Sequence, residues 1–117
     1  MAKFRFEDLE IWKEAISLAS IFFQIANEME EKKLWRFADQ LRGVGISIPN
    51  NISESTGTHM KGEQQQLLRV AKRECYEGAN MMVILLNESL ISRELKNEMF
   101  DRLDVESRRI QAYSDTL

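Results

Sequence analysis

The sequence predicts an all-α protein, an antiparallel up-and-down four-helix bundle with a proline-kinked second helix. In four segments, apolar residues recur at spacings of three and four, the pattern of helices that bury one face. The 117 residues include only five glycines and one proline, too few for the turns of an all-β fold. The segments between the helices are short, which favours antiparallel packing of consecutive helices.

The composition indicates a single domain over residues 1–117. Apolar residues make up 44% and charged residues 30%, as in ordinary globular proteins. No apolar run approaches the ~20 residues of a membrane helix, and the N-terminus lacks the apolar core of a signal peptide. The single cysteine cannot form an internal disulfide. We therefore expect a cytoplasmic protein with no membrane partner.

The first helix carries two adjacent apolar stripes. One is typical of a bundle seam and consists of Leu9, Trp12, Ile16, Ala19, Phe23 and Ala26. The other consists of Ile11, Ala15, Leu18, Phe22, Ile25 and Met29. A small monomeric bundle needs one such face on each helix, so the second stripe indicates either an unusually deep position or a subunit contact. We predict a homo-oligomer whose interface contains Ile11, Leu18, Phe22 and Ile25.

A charged segment, Asn27–Lys33, is predicted to connect the first helix to the second. The second helix is expected to end near Ser55, and its apolar seam consists of Leu34, Phe37, Leu41, Val44, Ile48 and Ile52.

Pro49 lies inside this second helix. A proline there clashes with the carbonyl four residues back, that of Gly45, and leaves it without its helical bond. Because the apolar register continues from Ile48 to Ile52, we predict a kinked, continuous helix. The alternative is a helix that stops at Ile48, followed by a new turn capped by Asn50.

Five polar residues lie among the apolar ones of the second helix. We interpret them as a hydrogen-bonded network that fixes the helix register and supports the bend. The alternative is a ligand or subunit site. The five residues are Gln40, Arg42, Ser47, Asn51 and Glu54.

The last two helices follow the segments 57–62 and 87–92, which are predicted to be connections. Ser92 is the predicted cap of the fourth helix. The third seam consists of Leu68, Ala71, Cys75, Gly78, Met82 and Leu85. The fourth consists of Leu95, Met99, Leu103, Glu106, Ile110, Tyr113 and Leu117, with Glu106 as an interruption.

Residues that could support catalysis or bind a metal or cofactor are sparse. His59 is the only histidine and falls in a predicted connection, and Cys75 falls on an apolar seam. A di-iron bundle needs Glu-x-x-His on two helices, and the motif is absent. Glu74 and Glu77 lie one turn apart, where we expect them to pair with nearby bases. We predict no enzyme activity, no cofactor and no metal site.

The most basic window of this acidic chain, whose formal net charge is −3, covers residues 61–73. Its bases, together with a nearby tyrosine, fall within an arc of about 120° on the third helix, away from the apolar seam. Such a face suits single-stranded RNA, although its bases could instead pair with acids of a neighbouring helix. The predicted nucleic-acid-binding residues are Lys61, Arg69, Lys72, Arg73 and Tyr76.

Three segments of the chain resemble a known family. They are FRFEDLEIWKEA (4–15), DQLRGVGISIPNNISES (39–55) and LLRVAKRECYEG (67–78). In this order they resemble the 23S rRNA intervening-sequence proteins, small four-helix bundles that are commonly encoded within insertions in bacterial 23S rRNA genes. The accessory variability determinant proteins of diversity-generating retroelements are similar. The matching positions are Asp8, Leu9, Trp12, Gln40, Leu41, Arg42, Ser47, Ile48, Pro49, Asn51, Ile52 and Glu54.

The resemblance covers the chain from Phe4 to Leu90 and implies a ring-like homopentamer and association with nucleic acid. Two positions depart from the family pattern: Ser55 replaces a usual glycine and Thr58 a frequent arginine. We expect a non-enzymatic homo-oligomer that binds RNA, or a nucleic-acid-handling partner, through a basic face. The alternative is an interaction or scaffold bundle with no nucleic-acid contact.

Overall fold

Four α-helices and one short 3-10 helix make up the fold, and no strand is present. The computed structural model describes all residues from Met1 to Leu117. The 3-10 helix covers Arg5–Asp8, and the α-helices are α1 (Glu10–Glu31), α2 (Trp35–Ser55), α3 (Lys61–Asn87) and α4 (Arg93–Asp115). A membrane-spanning helix is absent from the fold. The prediction of an all-α four-helix bundle is confirmed.

The connection between α1 and α2 is shorter than the charged segment suggested. α1 continues through Asn27–Glu31, because Met29 in this stretch is buried and holds the last turn against the core. The helix ends at Glu31, and Lys33, two residues further on, has a φ of 62° in the left-handed region. The Leu34 N–H then donates to the Met29 carbonyl at 2.8 Å, which closes the helix end.

The other two connections lie close to where the sequence placed them, at Thr56–Met60 and Glu88–Ser92. Ser92 caps α4: its Oγ accepts a hydrogen bond from the Leu95 N–H at 3.1 Å. The bond satisfies one of the free N–H groups of the first turn. The predicted cap is confirmed.

α2 continues through Pro49 without a break. The alternative of a helix that stops at Ile48 is therefore wrong, while a bend at the proline stays a prediction. Near the proline, Asn51 Nδ2 donates to the Ser47 carbonyl at 2.8 Å and to Ser47 Oγ at 3.1 Å. The Asn51 side chain thus adds a second link across one turn of the helix that contains the proline.

Two glycines allow three helices to meet around the ring of Phe22. A Cβ at Gly45 would lie 3.1 Å from Phe22 Cβ, so this glycine brings α2 close to α1. A Cβ at Gly78 would lie 2.7 Å from Phe22 Cζ and 3.3 Å from Val44 Cγ1. Real Cβ atoms essentially never approach as closely as 2.7 Å, so a side chain at position 78 would force the ring of Phe22 to shift.

The core is one cluster of 21 buried apolar side chains that come from all four helices. The side chains that α1 contributes to the core include the residues predicted to form the subunit interface. Between 0% and 6% of each of four predicted interface residues is exposed within a single chain, so they cannot contact another subunit. These are Ile11, Leu18, Phe22 and Ile25. The other stripe is the exposed one, with Ile16 at 42% and Phe23 at 39%.

Contacts between α3 and α4 join an early residue of one helix to a late residue of the other. Gln65, near the start of α3, donates to the Ser114 carbonyl near the end of α4, at 3.3 Å. Ala79, late in α3, lines a pocket with Phe100, early in α4. An antiparallel order requires pairs of this kind, and for the whole bundle it stays a prediction.

α1 and α4 make much less contact with each other than the sequential neighbours do. Arg102 of α4 bridges them. Its Nη2 and Nε donate to the Glu14 carboxylate at 2.8 and 3.0 Å, and Nη2 also donates to Ser17 Oγ at 2.9 Å. The pair of hydrogen bonds to one carboxylate fixes both position and orientation at this open side of the bundle.

Candidate functional site

One face of α3 carries three cations around an exposed tyrosine. Their spacing along the helix places them together, and the buried Leu68 and Cys75 fix the rotation of the helix that turns them to solvent. Tyr76 is 64% exposed. With Gln111 of α4, these side chains line an open depression on the surface. We call the four α3 residues the basic patch: Arg69, Lys72, Arg73 and Tyr76.

None of the three cations has a carboxylate partner within 4.0 Å. Lys72 Nζ donates to Gln111 Oε1 at 3.0 Å, and Arg69 donates to the side-chain oxygen of Gln66. Both partners are neutral, so no cation of the patch is in direct contact with an acid; Glu74, next to Arg73 in the chain, is close enough for the two charges to interact. The alternative was that these cations form ion pairs with acids of a neighbouring helix, and no such ion pair is present.

Lys61 lies apart from the patch. It is the exposed first residue of α3, whereas Arg69 lies eight positions further along and Lys61 does not line the depression. The structure therefore brings together four of the five predicted nucleic-acid-binding residues.

The depression continues in both directions between α3 and α4. Tyr76 also lines a pocket of about 310 Å³ whose rim includes Asp101 of α4. Arg69 and Gln111 also line a polar hollow of about 210 Å³ that includes Asp115. We call the three hollows together the α3–α4 furrow. The sequence did not predict the α4 side of the furrow, because its residues are close to the patch only in the folded bundle.

The five polar residues of α2 do not form one network. Arg42 Nη2 donates to Asn27 Oδ1 and to Glu30 Oε2, both at 2.9 Å, and so ties α2 to α1. The Ser47–Asn51 link described above is separate from it. The remaining two are exposed and form no side-chain hydrogen bond with the rest of the chain: Gln40 and Glu54. No hydrogen-bonded network of all five is present, because Arg42 projects from the side of α2 opposite to the other four, and Gln40 and Glu54 form no side-chain hydrogen bond.

A second surface feature lies between α1 and α2. It includes residues of the α1 stripe that the sequence predicted to be the bundle seam. It is an open apolar groove of about 360 Å³. Ile46 of α2 is 47% exposed there. The aromatic ring of Phe6 contacts Trp12 at a centroid distance of 5.1 Å, and both rings line the groove. We call this feature the α1–α2 groove; it includes Phe6, Trp12, Ile16, Phe23, Ile46 and Pro49.

Glu106, the predicted interruption of the fourth seam, is fully buried, and neither carboxylate oxygen has a hydrogen-bond partner. Burial raises the pKa of Glu106 to about 8, and the negative charge of Glu14 adds to the rise while Arg109 opposes it. Near neutral pH the carboxyl group is therefore mostly protonated. A neutral acid is the form that an apolar interior tolerates.

The other chemically distinctive side chains of α3 show no sign of a reaction centre. Burial raises the pKa of the Cys75 thiol to about 12, so it stays protonated and unreactive. Glu74 and Glu77 form no ion pair with a base, contrary to the expectation. Burial, and then the neighbouring Glu77 charge, raise the pKa of Glu74 to about 7. His59 is exposed, and no three His, Cys, Asp or Glu side chains are grouped to hold a metal ion.

Comparison with protein families gives a match over most of the chain. The family model of the 23S rRNA-intervening sequence protein matches residues 7–112, which is most of the chain. The chain belongs to this family. The match includes α1, α2 and α3 completely and α4 except its last three residues, and it includes the basic patch. No curated protein and no solved structure matches the chain significantly.

Proposed function

We propose that this member of the 23S rRNA-intervening sequence protein family is a non-enzymatic, cytoplasmic protein that binds single-stranded RNA through the basic patch. One observation carries the proposal. Three cations of α3 have no acidic partner and surround an exposed aromatic ring at the edge of an open depression.

Each part of the patch matches a part of a single strand of RNA. Phosphates bind guanidinium and ammonium groups, and Arg69 and Arg73 offer planar forks of N–H donors for phosphate oxygens. An unstacked base can lie on the ring of Tyr76, an interaction that contributes about 1–3 kcal/mol in single-strand-binding proteins. Double-stranded RNA does not offer its base faces in this way.

The overall charge of the chain makes the patch a local site. With a formal net charge of −3, the protein as a whole repels nucleic acid. Attraction is confined to the patch, so we expect weak binding by one chain. Several copies in an oligomer would strengthen it through multivalency.

Charge reversal tests the patch. Replacing Arg69, Lys72 and Arg73 together by Glu should reduce the affinity for a fluorescein-labelled octamer of uridine by roughly tenfold or more at low salt. The matched control replaces three exposed cations near the α1–α2 connection, Lys32, Lys33 and Arg36, and changes the net charge by the same amount. Fluorescence anisotropy measures both. Equal losses in the two variants would show that only net charge matters.

We also propose that the chain forms a homo-oligomer through the α1–α2 groove, with a pentamer as the expectation from the family resemblance. The support is the exposed stripe of α1, which faces Ile46 of α2 across the groove. This function needs no nucleic acid, so a protein that assembles without binding RNA would be a scaffold.

Light scattering during gel filtration tests the assembly. Phe23→Glu should give monomers, because the groove would then bury a charge at the subunit contact. Ile84→Glu is the control, since Ile84 is also 39% exposed but lies on α3. A monomeric mass for the unmutated protein at micromolar concentration would refute the assembly proposal.

A further inference from the structure

The pocket next to the basic patch has the size and chemistry of a nucleobase site. Its volume is about 310 Å³, enough for one base. Ala79 of α3 and Leu103 of α4 belong to its apolar part. Two carboxylates, those of Asp101 and Asp104, belong to its rim. An apolar pocket with a few placed polar groups is the usual form of a small-ligand site.

Tyr76 connects this pocket to the cations, because its side chain lines both the pocket and the patch depression. The patch and the pocket are neighbours on the surface, as the phosphate and the base are neighbours in a nucleotide. With the phosphate on the patch, the base of the same nucleotide would lie towards the pocket, with the Tyr76 side chain between the two.

The charges along the furrow set the orientation of such a nucleotide. The three cations attract the phosphate, whereas Asp101 and Asp104 repel it. The base, which carries no net charge, can lie against the carboxylates. The reverse orientation would place the phosphate beside two acids.

The two carboxylates are not equivalent. Asp104 Oδ2 lies 3.1 Å from Arg108 Nη2 and is held in an ion pair. Asp101 is exposed and has no basic side chain within 4.0 Å of its carboxylate, so both its oxygens are free to accept hydrogen bonds from a ligand.

We propose that this pocket selects guanine and that Asp101 is the residue that determines the selection. A free carboxylate offers two adjacent acceptors. Guanine presents two adjacent donors on its Watson–Crick edge, N1–H and the N2 amino group. Adenine and cytosine present one amino donor beside an acceptor, and uracil presents one N–H between two acceptors, so each leaves an oxygen unpaired or opposed. The inference rests on RNA binding by the patch.

Four fluorescein-labelled octamers test the selection: eight uridines, and the same strand with one central G, A or C. A single guanine avoids the structures that guanine runs form. The unmutated protein should bind the G strand roughly tenfold more tightly than the uridine strand, in line with one two-donor contact. Asp101→Asn should abolish this preference, because its amide offers a donor where guanine also presents one. Asp104→Asn should keep the preference.

The ratio of the affinities for the G strand and the uridine strand is the readout, because removing an acid can raise the affinity for every strand. Equal affinities of the unmutated protein for all four strands would overturn the guanine inference and leave the proposed function standing. A preference that survives Asp101→Asn, or is lost in Asp104→Asn, would overturn the role of Asp101. Absence of binding to every strand would overturn the proposed function, and the guanine inference with it.

Discussion

The α1–α2 groove and the α3–α4 furrow occupy comparable positions between neighbouring helices, but their chemistry differs. The groove is lined mainly by apolar side chains, of which Ile16, Phe23 and Ile46 are exposed. The furrow carries cations, carboxylates and amides around Tyr76, and apolar side chains predominate only in the pocket at one end of it. The difference indicates two kinds of partner. An apolar groove gains free energy by excluding water, as between subunits, while a charged furrow attracts a charged ligand.

The largest expected effect separates the two apolar stripes of α1. Leu18→Glu should unfold the protein, because a fully buried side chain would become an unpaired charge and the cost is several kcal/mol. Ile16→Glu should leave the chain folded and lower the thermal midpoint much less, since Ile16 is 42% exposed within one chain and the change can act only on the subunit contact. Circular dichroism on heating measures both. Similar destabilisation by both changes would contradict the assignment of Leu18 to the core and Ile16 to the groove.

The next effect concerns the buried acid behind the furrow. Because the pKa of Glu106 is raised to about 8, the folded state holds a proton that the unfolded state releases near pH 4.5. This contribution to stability is fully present below about pH 4.5 and is lost as the pH rises through 8. Glu106→Gln should therefore nearly match the unmutated protein near pH 5 and exceed its stability by roughly 4 kcal/mol near pH 9.

Urea denaturation at the two pH values checks this prediction. Glu74, whose pKa is also raised, contributes with the same sign in both proteins, so the difference between them isolates Glu106. A difference that does not change with pH would show that Glu106 is ionised in the folded protein.

A smaller effect compares two glycines. Gly78→Ala should destabilise the protein by about 1–3 kcal/mol, because its Cβ would lie 2.7 Å from the buried ring of Phe22. Gly43→Ala should stabilise it by about 0.5–1 kcal/mol, since nothing lies within 4 Å of the new methyl group and alanine favours helix. Denaturant midpoints measure both. Stabilisation by Gly78→Ala would contradict the close contact of α1 and α3.

The sequence predicted α3 better than α1, for a physical reason. α3 has one continuous apolar seam, so its rotation and its solvent-facing bases follow from the period of the helix. α1 has two adjacent seams, and periodicity gives their separation around the helix but not which of them faces the core. The choice depends on contacts such as those of Phe22 with Gly45 and Gly78, which exist only after packing.

The helices and the cap at Ser92 follow from local rules of spacing and capping and could be predicted. The α4 side of the furrow could not be predicted. In the sequence, nothing distinguishes Gln111 and Asp101 from other polar residues. They become candidate site residues only because the fold places them beside Tyr76. The α4 side of the candidate site thus depends on the packing of α4 against α3. The site residues of these two helices are far apart in the chain.

The salt dependence of RNA binding tests the role of the basic patch most directly. Anisotropy titrations of the uridine octamer at several salt concentrations should give a linear fall of log affinity with log salt for the unmutated protein. Replacing Arg69, Lys72 and Arg73 by Gln should make the slope shallower by roughly 2, about 0.7 for each lost phosphate contact on a single strand. An unchanged slope and affinity in the triple variant, or no binding by the unmutated protein at low salt, would contradict a nucleic-acid-binding role for this face of α3.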